Sequence, residues 1–410
     1  MRILVAHNRY QQMGGEDVVF DTESTALQTA GHIVERLVFD NASIRTFYDK
    51  VRATANVSHN EGSIRKFRQV LREFRPDVVH IHNFFPLITP GALAATAGDG
   101  LPTILTLHNY RALCANSMFF RSGGVCTSCL AGSQLSGVLH RCYRNSAVGS
   151  FAIGLMGQNL RRIAHRFPNL ITFIALTDFA KSLYVEGGFD ENQIVVKANA
   201  LADPGNGSEA RNRRILFVGR LSHEKGVDLI CRIAPRIDAE FIIVGGGPEF
   251  DNLSRNKPEN VNLLGPLPRD QIFDQMRKAA AVVVPSRWYE ACPMTVLEAF
   301  ATGTPIVASR LGSLAELVTD GITGLLAAAD DEGEWEHAIG RILSDPELAR
   351  RMGQTARAAY MERHTEESNL RSLTAIYASA IDRAKGAVIS DQVRSDTYMG
   401  ASIGARRTLS

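Results

Sequence analysis

The run Ala279 to Val284, followed directly by Pro285-Ser-Arg-Trp-Tyr-Glu-Ala-Cys-Pro-Met-Thr-Val-Leu-Glu298, constrains this chain more than any other stretch. A short apolar run without alternation reads as a parallel strand buried on both faces. Thr295 to Thr302 then reads as a helix, with Pro293 near its first turn. A strand that passes straight into a helix belongs in an open α/β sheet. Such crossings lie at the carboxyl ends of the strands, where these sheets bind ligands. Glu290 falls in the loop and Glu298 about one turn into the helix. The first backbone N–H groups of that helix have no partner within it and favour an anion. Two carboxylates beside an anion-ready helix end suit a ligand that carries both hydroxyls and phosphate.

The remaining totals narrow the class. A chain of 410 residues, 45% hydrophobic, can build large cores without disulfide staples. Its net charge of +2 does not call for nucleic acid. The opening Met-Arg-Ile-Leu-Val-Ala-His-Asn is too short an apolar run for a signal peptide, and no uncharged apolar run reaches the roughly 18–20 residues of a membrane span. The expectation is a cytoplasmic protein, peripheral at most on the inner membrane face.

The first half alternates strands and helices. Arg2 to His7 reads as a strand, and its loop ends in Gly14-Gly15 before a helix that runs to about Ala30. Glycine here permits close backbone approach to a ligand, although a tight turn would use it equally. Strands follow at Ile33–Phe39, Asp77–Ile81 and Pro102–Leu107, with a helix at Gly62–Phe74. The third and fourth strands deliver His80, His82, His108 and Arg111 at or just beyond their carboxyl ends. Leu170–Leu176, Asp178–Val185 and Ile194–Lys197 read as strand, helix and strand, and the Pro- and Gly-containing stretch Asn199–Asn212 reads as a linker.

Two features interrupt that pattern. Four of the six cysteines cluster as Cys114-x11-Cys126-x2-Cys129-x12-Cys142. In a chain without an export signal this spacing predicts a metal site before a disulfide set. Four thiolates make a closed tetrahedral site, usually zinc and structural, with an iron–sulfur cluster or four free thiols as the alternatives. No Asp or Glu occurs between Asp99 and Asp178, whereas Arg111, Arg121, Arg141, Arg144, Arg161, Arg162 and Arg166 all do. Ala147–Phe167 reads as a helix with Phe151, Leu155, Leu160, Ile163 and Phe167 as one apolar stripe. Its basic end could meet anionic lipid heads or a lipid-linked diphosphate, or could simply be solvated.

The second half repeats the theme. Ile215–Gly219 is a strand, and Arg220 and Lys225 follow across the turn that ends in Gly226. Two fixed cations there would meet negative charge as it develops on a leaving group. Glu240–Val244 runs into Gly245-Gly246-Gly247, Asn262–Gly265 is a further short strand, and Thr304–Ser309 precedes a helix opened by Gly312-Ser313. Helices are expected at Glu332–Leu343, Pro346–Arg363 and Glu366–Ala384, and an aperiodic mobile tail from Gly386.

The crossing, together with Gly219-Arg-Leu-Ser-His-Glu-Lys-Gly226, Gly245-Gly-Gly-Pro-Glu249 and Gly312-Ser-Leu-Ala-Glu316, resembles the retaining glycosyltransferases of family 4. The likeness covers most of residues 1–380, more closely in the second half. It implies the GT-B fold, an α/β architecture in which two Rossmann-like domains face each other across a central cleft and a C-terminal helix crosses back to the first domain. The expected domains are 1–198, with a Cys-rich insertion at about 110–145 and joined by helix 366–385, and 199–365. The resemblance implies transfer from a UDP- or GDP-linked sugar to a glycan or lipid-linked acceptor, as in bacterial surface polysaccharide assembly. Arg220, Lys225, Glu290 and His108 would serve the reaction. Gly14, Gly15, Gly219, Gly246, Gly247, Cys292, Pro293, Met294, Thr295 and Glu298 would line the donor site, Glu298 on the ribose hydroxyls. No Asp-x-Asp occurs, so no metal cofactor is expected for catalysis. A nucleotide-sugar epimerase of the same fold and a non-catalytic binding subunit are the rival readings. A nicotinamide dehydrogenase is disfavoured because the first strand lacks Gly-x-Gly-x-x-Gly.

Overall fold

A computed structural model describes residues 1–10, 14–130, 134–207 and 211–404. Small parts of the expected first loop, Cys-rich insertion and linker, and the end of the expected tail, lie outside the described residues. Among the described residues fourteen strands occur: β1 (Arg2–Arg9), β2 (Ile33–Asp40), β3 (Val78–Ile81), β4 (Thr103–Thr106), β5 (Phe120–Arg121), β6 (Gly124–Val125), β7 (Ile171–Ala175), β8 (Ile194–Val196), β9 (Arg214–Val218), β10 (Glu240–Val244), β11 (Val261–Gly265), β12 (Ala281–Val284), β13 (Ile306–Ser309) and β14 (Gly324–Ala327). The helices of the first half are α1 (Gly15–Thr29), α2 (Phe47–Ala55), α3 (Glu61–Phe74), α4 (Thr89–Gly98), α5 (Leu135–Leu139), α6 (Ala147–Arg166) and α7 (Asp178–Glu186). Those of the second are α8 (Val227–Ile233), α9 (Phe250–Asn256), α10 (Arg269–Lys278), α11 (Met294–Ala301), α12 (Ser313–Leu317), α13 (Glu332–Ser344), α14 (Pro346–Arg363) and α15 (Glu366–Gly404).

Two six-stranded parallel sheets result, ordered β2-β1-β3-β4-β7-β8 and β11-β10-β9-β12-β13-β14. Helices flank both, so the central strands are buried on each face: every residue of β3, β4, β7, β12 and β13 is buried. The strand order reverses between β1 and β3 in the first sheet and between β9 and β12 in the second. A crevice opens outside the carboxyl ends at such a reversal, because the helices on either side run to opposite faces. The loops after β1, β3, β9 and β12 therefore define where a ligand can enter.

The last helix ties the C-terminus to the first sheet. Leu373, Tyr377 and Ala380 pack with Ile3, Val5, Val78 and Ile174. The Tyr377 hydroxyl meets His80 Nδ1 at 2.7 Å, and Thr106 Oγ1 lies 2.8 Å from the other ring nitrogen. Beside them Lys197 Nζ reaches Glu23 Oε1 at 2.7 Å and Asn369 Oδ1 at 2.5 Å, while Asn369 Nδ2 donates to Glu23 at 3.0 Å.

Two expectations are corrected. Helix α15 does not end near Ala384 but continues to Gly404. No proline follows Pro346, and isolated glycines such as Gly386 and Gly400 each cost a helix only about 1 kcal/mol. The five-residue stripe on α6 is not one face. Phe151 and Leu155 are exposed, Leu160 and Ile163 are buried. At roughly 100° per residue, Leu160 lies about two and a half turns beyond Phe151, on the opposite side. The buried face is carried by Ile153, Met156, Leu160, Ile163 and Ala164. Finally, β14, a four-residue edge strand, was not foreseen.

Lys197 and Glu23 are both almost fully buried. Lys197→Met leaves a buried carboxylate short of its cation and is expected to lower folding stability by about 3 kcal/mol, measured by urea denaturation.

Candidate active site

In the second sheet the loops after β9 and β12 meet at the reversal. Glu290, nearly buried, accepts three bonds on one oxygen: Lys225 Nζ at 2.7 Å, Ser286 Oγ at 2.7 Å and Trp288 Nε1 at 2.9 Å. No described group bonds to its second oxygen. The Lys225 ammonium also lies 5.2 Å from the Trp288 ring centre, a cation–π contact. Arg220 is exposed and pairs with no described residue. The expected group of Arg220, Lys225 and Glu290 thus shares one sheet edge, and two of its members touch.

The turn that carries Lys225 is held from below. Arg287 is 5% exposed and bonds bidentately to Asp228 at 2.6 and 2.7 Å, to both oxygens of Asp330 at 2.7 Å, and to the His223 carbonyl at 2.9 Å. Burial works against its charge, but the bonds to Asp228 and Asp330 outweigh it and raise its pKa. The backbone N–H of Arg287 also donates to the Glu224 carbonyl at 2.8 Å. Gly226 closes the turn at φ 71°, and a Cβ there would stand 2.0 Å from the Pro285 carbonyl oxygen. Only glycine lets the two loops touch. Gly245, at φ 140°, is fixed in the same way by the Gly219 carbonyl. Gly219 and Gly246 have room for a Cβ or nearly so, whereas Gly247 is hemmed in by the Leu221 backbone.

Helix α11 begins at Met294, with Pro293 before it and no side-chain cap. The N–H groups of Met294 and Thr295 have no partner among the described residues, while Val296 N–H closes on the Pro293 carbonyl. Cys292 is buried, and burial pushes its thiol up to about 11, so it is a neutral wall. Glu298 is half-buried and lies 3.2 Å from Arg269. Burial raises its pKa, against the pull of that guanidinium. A cavity of about 180 Å³, bounded by Arg211, Leu343 and Gly353, lies at the other, amino-terminal edge of this sheet and is remote from these groups.

The first sheet supplies the opposite wall. Gly15 stands against the Met294 side chain, 3.2 Å from where a Cβ would sit. Gly14 caps α1, its N–H bonded to Asp17 at 2.8 Å, and Asp17 in turn binds His7 at 2.9 Å. Tyr110 donates its hydroxyl to the Glu290 carbonyl at 3.0 Å, and Thr177 meets Ser313 at 2.8 Å. Glu316 spends both oxygens on the free N–H groups of Asp178 and Phe179 at the start of α7. His108 Nε2 lies 3.3 Å from His82 Nδ1, and His82 is 3.5 Å from Glu23. Burial lowers the His108 pKa to about 3, so its imidazole is neutral at working pH. Glu23, His80 and His82 have donor atoms within 4.8 Å of one another. Lys197 already neutralises Glu23, and both His80 nitrogens are bonded, so this trio is a polar anchor for α15 rather than a metal cage.

The expected metal ligands Cys114, Cys126, Cys129 and Cys142 all line one small pocket. They are four free cysteines.

Sequence reasoning missed Arg287, Arg269 and Glu16. Arg287 stood inside the motif, but its partners are 43 and 59 residues away. Glu16 follows the paired glycines. Burial pushes its carboxyl up to about 8, against the pull of Arg111, and its Oε2 has no partner among the described residues. At neutral pH it is a protonated hydrogen-bond donor near Arg111. Because the folded-state pKa is raised, the unfolded chain loses this proton first. Stability therefore falls as pH rises from about 4.5 to about 8 and then levels. Glu16→Gln is expected to flatten that slope, exceeding the unmodified protein by on the order of 5 kcal/mol at pH 9, with little difference near pH 4. Denaturation curves across that range check it.

Comparison with known proteins bears on the family and the fold. The family described as Glycosyl transferases group 1 matches residues 202–359, and the Glycosyl transferase 4-like domain matches residues 14–200. An uncharacterised glycosyltransferase of Methanocaldococcus jannaschii is 24% identical over 379 residues, 87% of this chain and 92% of that protein. The D-inositol 3-phosphate glycosyltransferase of Nocardia farcinica is 30% identical over 217 residues, and the match spans 48% of its length. Among solved structures, Anabaena HepE in complex with UDP-glucose superposes with a TM-score of 0.65 at 17% identity, covering 92% of this chain and 100% of that one. Sucrose-phosphate synthase of Thermosynechococcus elongatus gives 0.68 at 16% identity, covering 92% and 98%. At such identities the superpositions speak for the fold.

Proposed function

We propose, from the premise that this chain belongs to the group 1 glycosyltransferases and has the GT-B fold, that it moves a sugar from a nucleoside diphosphate to a hydroxyl of a glycan or lipid-linked acceptor. The observation that carries the reading is the Lys225–Glu290 contact at the reversal of the second sheet, with unpaired Arg220 on the same loop. Arg220, Lys225 and the start of α11 meet the diphosphate. Their charge matters most as the sugar–phosphate bond breaks, so it lowers the barrier more than it tightens binding. The second oxygen of Glu290 accepts from sugar hydroxyls. Glu298, beside Arg269, takes the ribose. Neutral His108 and protonated Glu16 face the sugar and the acceptor from the first lobe.

The reaction retains the anomeric configuration, as in the enzymes this sequence resembles. The C–O bond to the diphosphate breaks, and the acceptor oxygen bonds to the anomeric carbon on the same face. The acceptor's proton passes to the departing phosphate oxygen. The side-chain cations and helix end supply the positive charge, so no divalent metal is required. UDP is favoured as the carrier, since the HepE structures that share this fold hold UDP or UDP-glucose.

The acceptor side favours a lipid-linked substrate at the inner face of a membrane. No described helix is long and apolar enough to cross one. Yet Leu139, Val148, Phe151 and Leu155 are exposed on α5 and α6, beside Arg141 and Arg144 in the connection between them. An apolar face with a basic rim and no acid suits an anionic bilayer surface.

Two experiments test this reading. Arg220→Ala is expected to lower kcat/KM for transfer by about 10²–10³-fold while UDP still raises the melting temperature, and NMR of the product should show the donor's anomeric configuration. An isomerised sugar nucleotide formed from donor alone would instead identify an epimerase. In vesicle flotation the protein should rise with phosphatidylglycerol vesicles and stay down with phosphatidylcholine. Phe151→Asp with Leu155→Asp should abolish the effect.

A further inference from the structure

The four clustered cysteines come from separate segments of the insertion. Cys114 follows β4, Cys126 ends the β5–β6 hairpin, Cys129 lies in the turn beyond it, and Cys142 joins α5 to α6. All four line a single pocket of about 10 Å³, together with Ala115, Asn116, Phe120, Arg121 and Ser136. That is room for one small ion.

The surrounding backbone points the same way. Among described non-glycine residues with positive φ, Ser117, Phe119, Ser122, Arg141, Arg144 and Asn145 all fall in this segment. Side chains rarely hold that conformation unless the surroundings over-determine it. The hairpin itself is two paired residues per strand and cannot supply such restraint. Charge also fits. Four thiolates around a divalent ion carry a net negative charge. Arg121 lines the pocket, and the acid-free sequence places no competing carboxylate in the insertion.

The hairpin does not stop at its own lobe. Phe119 packs edge-on to Tyr289 at 6.1 Å between ring centres, and Phe120 lies 5.9 Å from the ring of His223. Gly123 also faces that imidazole. His223 belongs to the turn that carries Lys225, and Tyr289 precedes Glu290.

We infer that Cys114, Cys126, Cys129 and Cys142 bind one zinc ion as a tetrathiolate, and that this ion holds the β5–β6 hairpin as a strap from the first lobe onto the Lys225 and Glu290 loops of the second. The described sulfurs do not yet stand at mutual ligand distance, since Glu23, His80 and His82 are the described trio within 4.8 Å. Binding draws them in, with loss of the Cys114–Asn116 and Cys126–Ser128 side-chain bonds. Each thiol gives up its proton to solvent as the Zn–S bond forms. The ion is structural, because four sulfurs leave no open position.

The test reads metal, not activity, so it stands or falls apart from the proposed transfer. Full-length protein purified under reductant and without chelator should carry about one zinc per chain by elemental analysis. Stepwise mercurial titration should release that zinc as the quartet is consumed. Cys126→Ser with Cys129→Ser should lose the metal, and Cys231→Ser should keep it. In hydrogen exchange, zinc removal from the unmodified protein should speed amides of residues 119–125 and also of 223–226. Protein free of zinc, intramolecular disulfides among the four, or iron in place of zinc would each overturn the site. Faster exchange confined to 119–125 would overturn the strap. If the double variant does not fold, the mercurial titration of the unmodified chain still decides.

Discussion

One carboxylate oxygen organises the mouth of the crevice on the second sheet. Glu290 Oε1 receives an ammonium, a hydroxyl and an indole N–H, all within 2.9 Å. A nearly buried carboxylate with three donors is held in one rotamer, and it holds Lys225 in turn. That fixes a flexible side chain at the mouth of the crevice before any ligand arrives. Preorganisation of this kind matters more than the strength of the pair, since a cation already in place needs no rearrangement when charge develops. The arrangement rests on a second layer. Arg287 draws Asp228, Asp330 and the His223 carbonyl to one guanidinium, and Gly226 allows the turn to lie on Pro285. A lysine in place of Arg287 could not span those partners, because it offers a point charge rather than a planar fork.

The first lobe uses polar groups differently. A chain of side chains leads inward from His108 through His82 to Glu23, Lys197 and Asn369 on α15. His80 and Tyr377 run beside it. These groups are buried, so every missing partner would be costly. The C-terminal helix is therefore part of the first lobe's interior. The three histidines at the strand ends divide accordingly: His80 is an anchor with both nitrogens bonded, His82 a link, and His108 the partly exposed end of the row.

How far the sequence could be read follows the range of the interactions. The crossing at 279–298 was legible because strand, loop and helix are local patterns, and Glu290 and Lys225 fall where those patterns end. The α6 helix was legible and its inward face was not. Apolar residues on both faces left the phase undetermined until Leu160 and Ile163 were seen buried and Phe151 exposed. Glu23 and Lys197 are 174 residues apart, and nothing near either one announces the other. Glu16 sat beside a noted glycine pair, yet its raised pKa comes from burial, which no local pattern encodes. The cysteines lie between these cases: their spacing was visible, but their meeting in one pocket beside a hairpin that reaches the other lobe was not.

The contacts between the lobes differ in kind from those that hold Lys225 and Glu290. Tyr110 on the Glu290 carbonyl, Glu316 on the start of α7 and Thr177 on Ser313 are polar and sit at loop or helix ends. Polar contacts of this type can break and re-form against water at small net cost. Aromatic contacts such as Phe119 on Tyr289 lose buried area when parted and resist opening. Phe179, whose N–H Glu316 holds, packs on the same Tyr289 ring at 4.8 Å, so aromatic and polar contacts meet around the residue that precedes Glu290. The Lys225 turn lies beside them, with Phe120 of the hairpin against His223. The lobes are thus pinned by apolar area next to Glu290, and the polar contacts around that pin are the ones that can exchange with water.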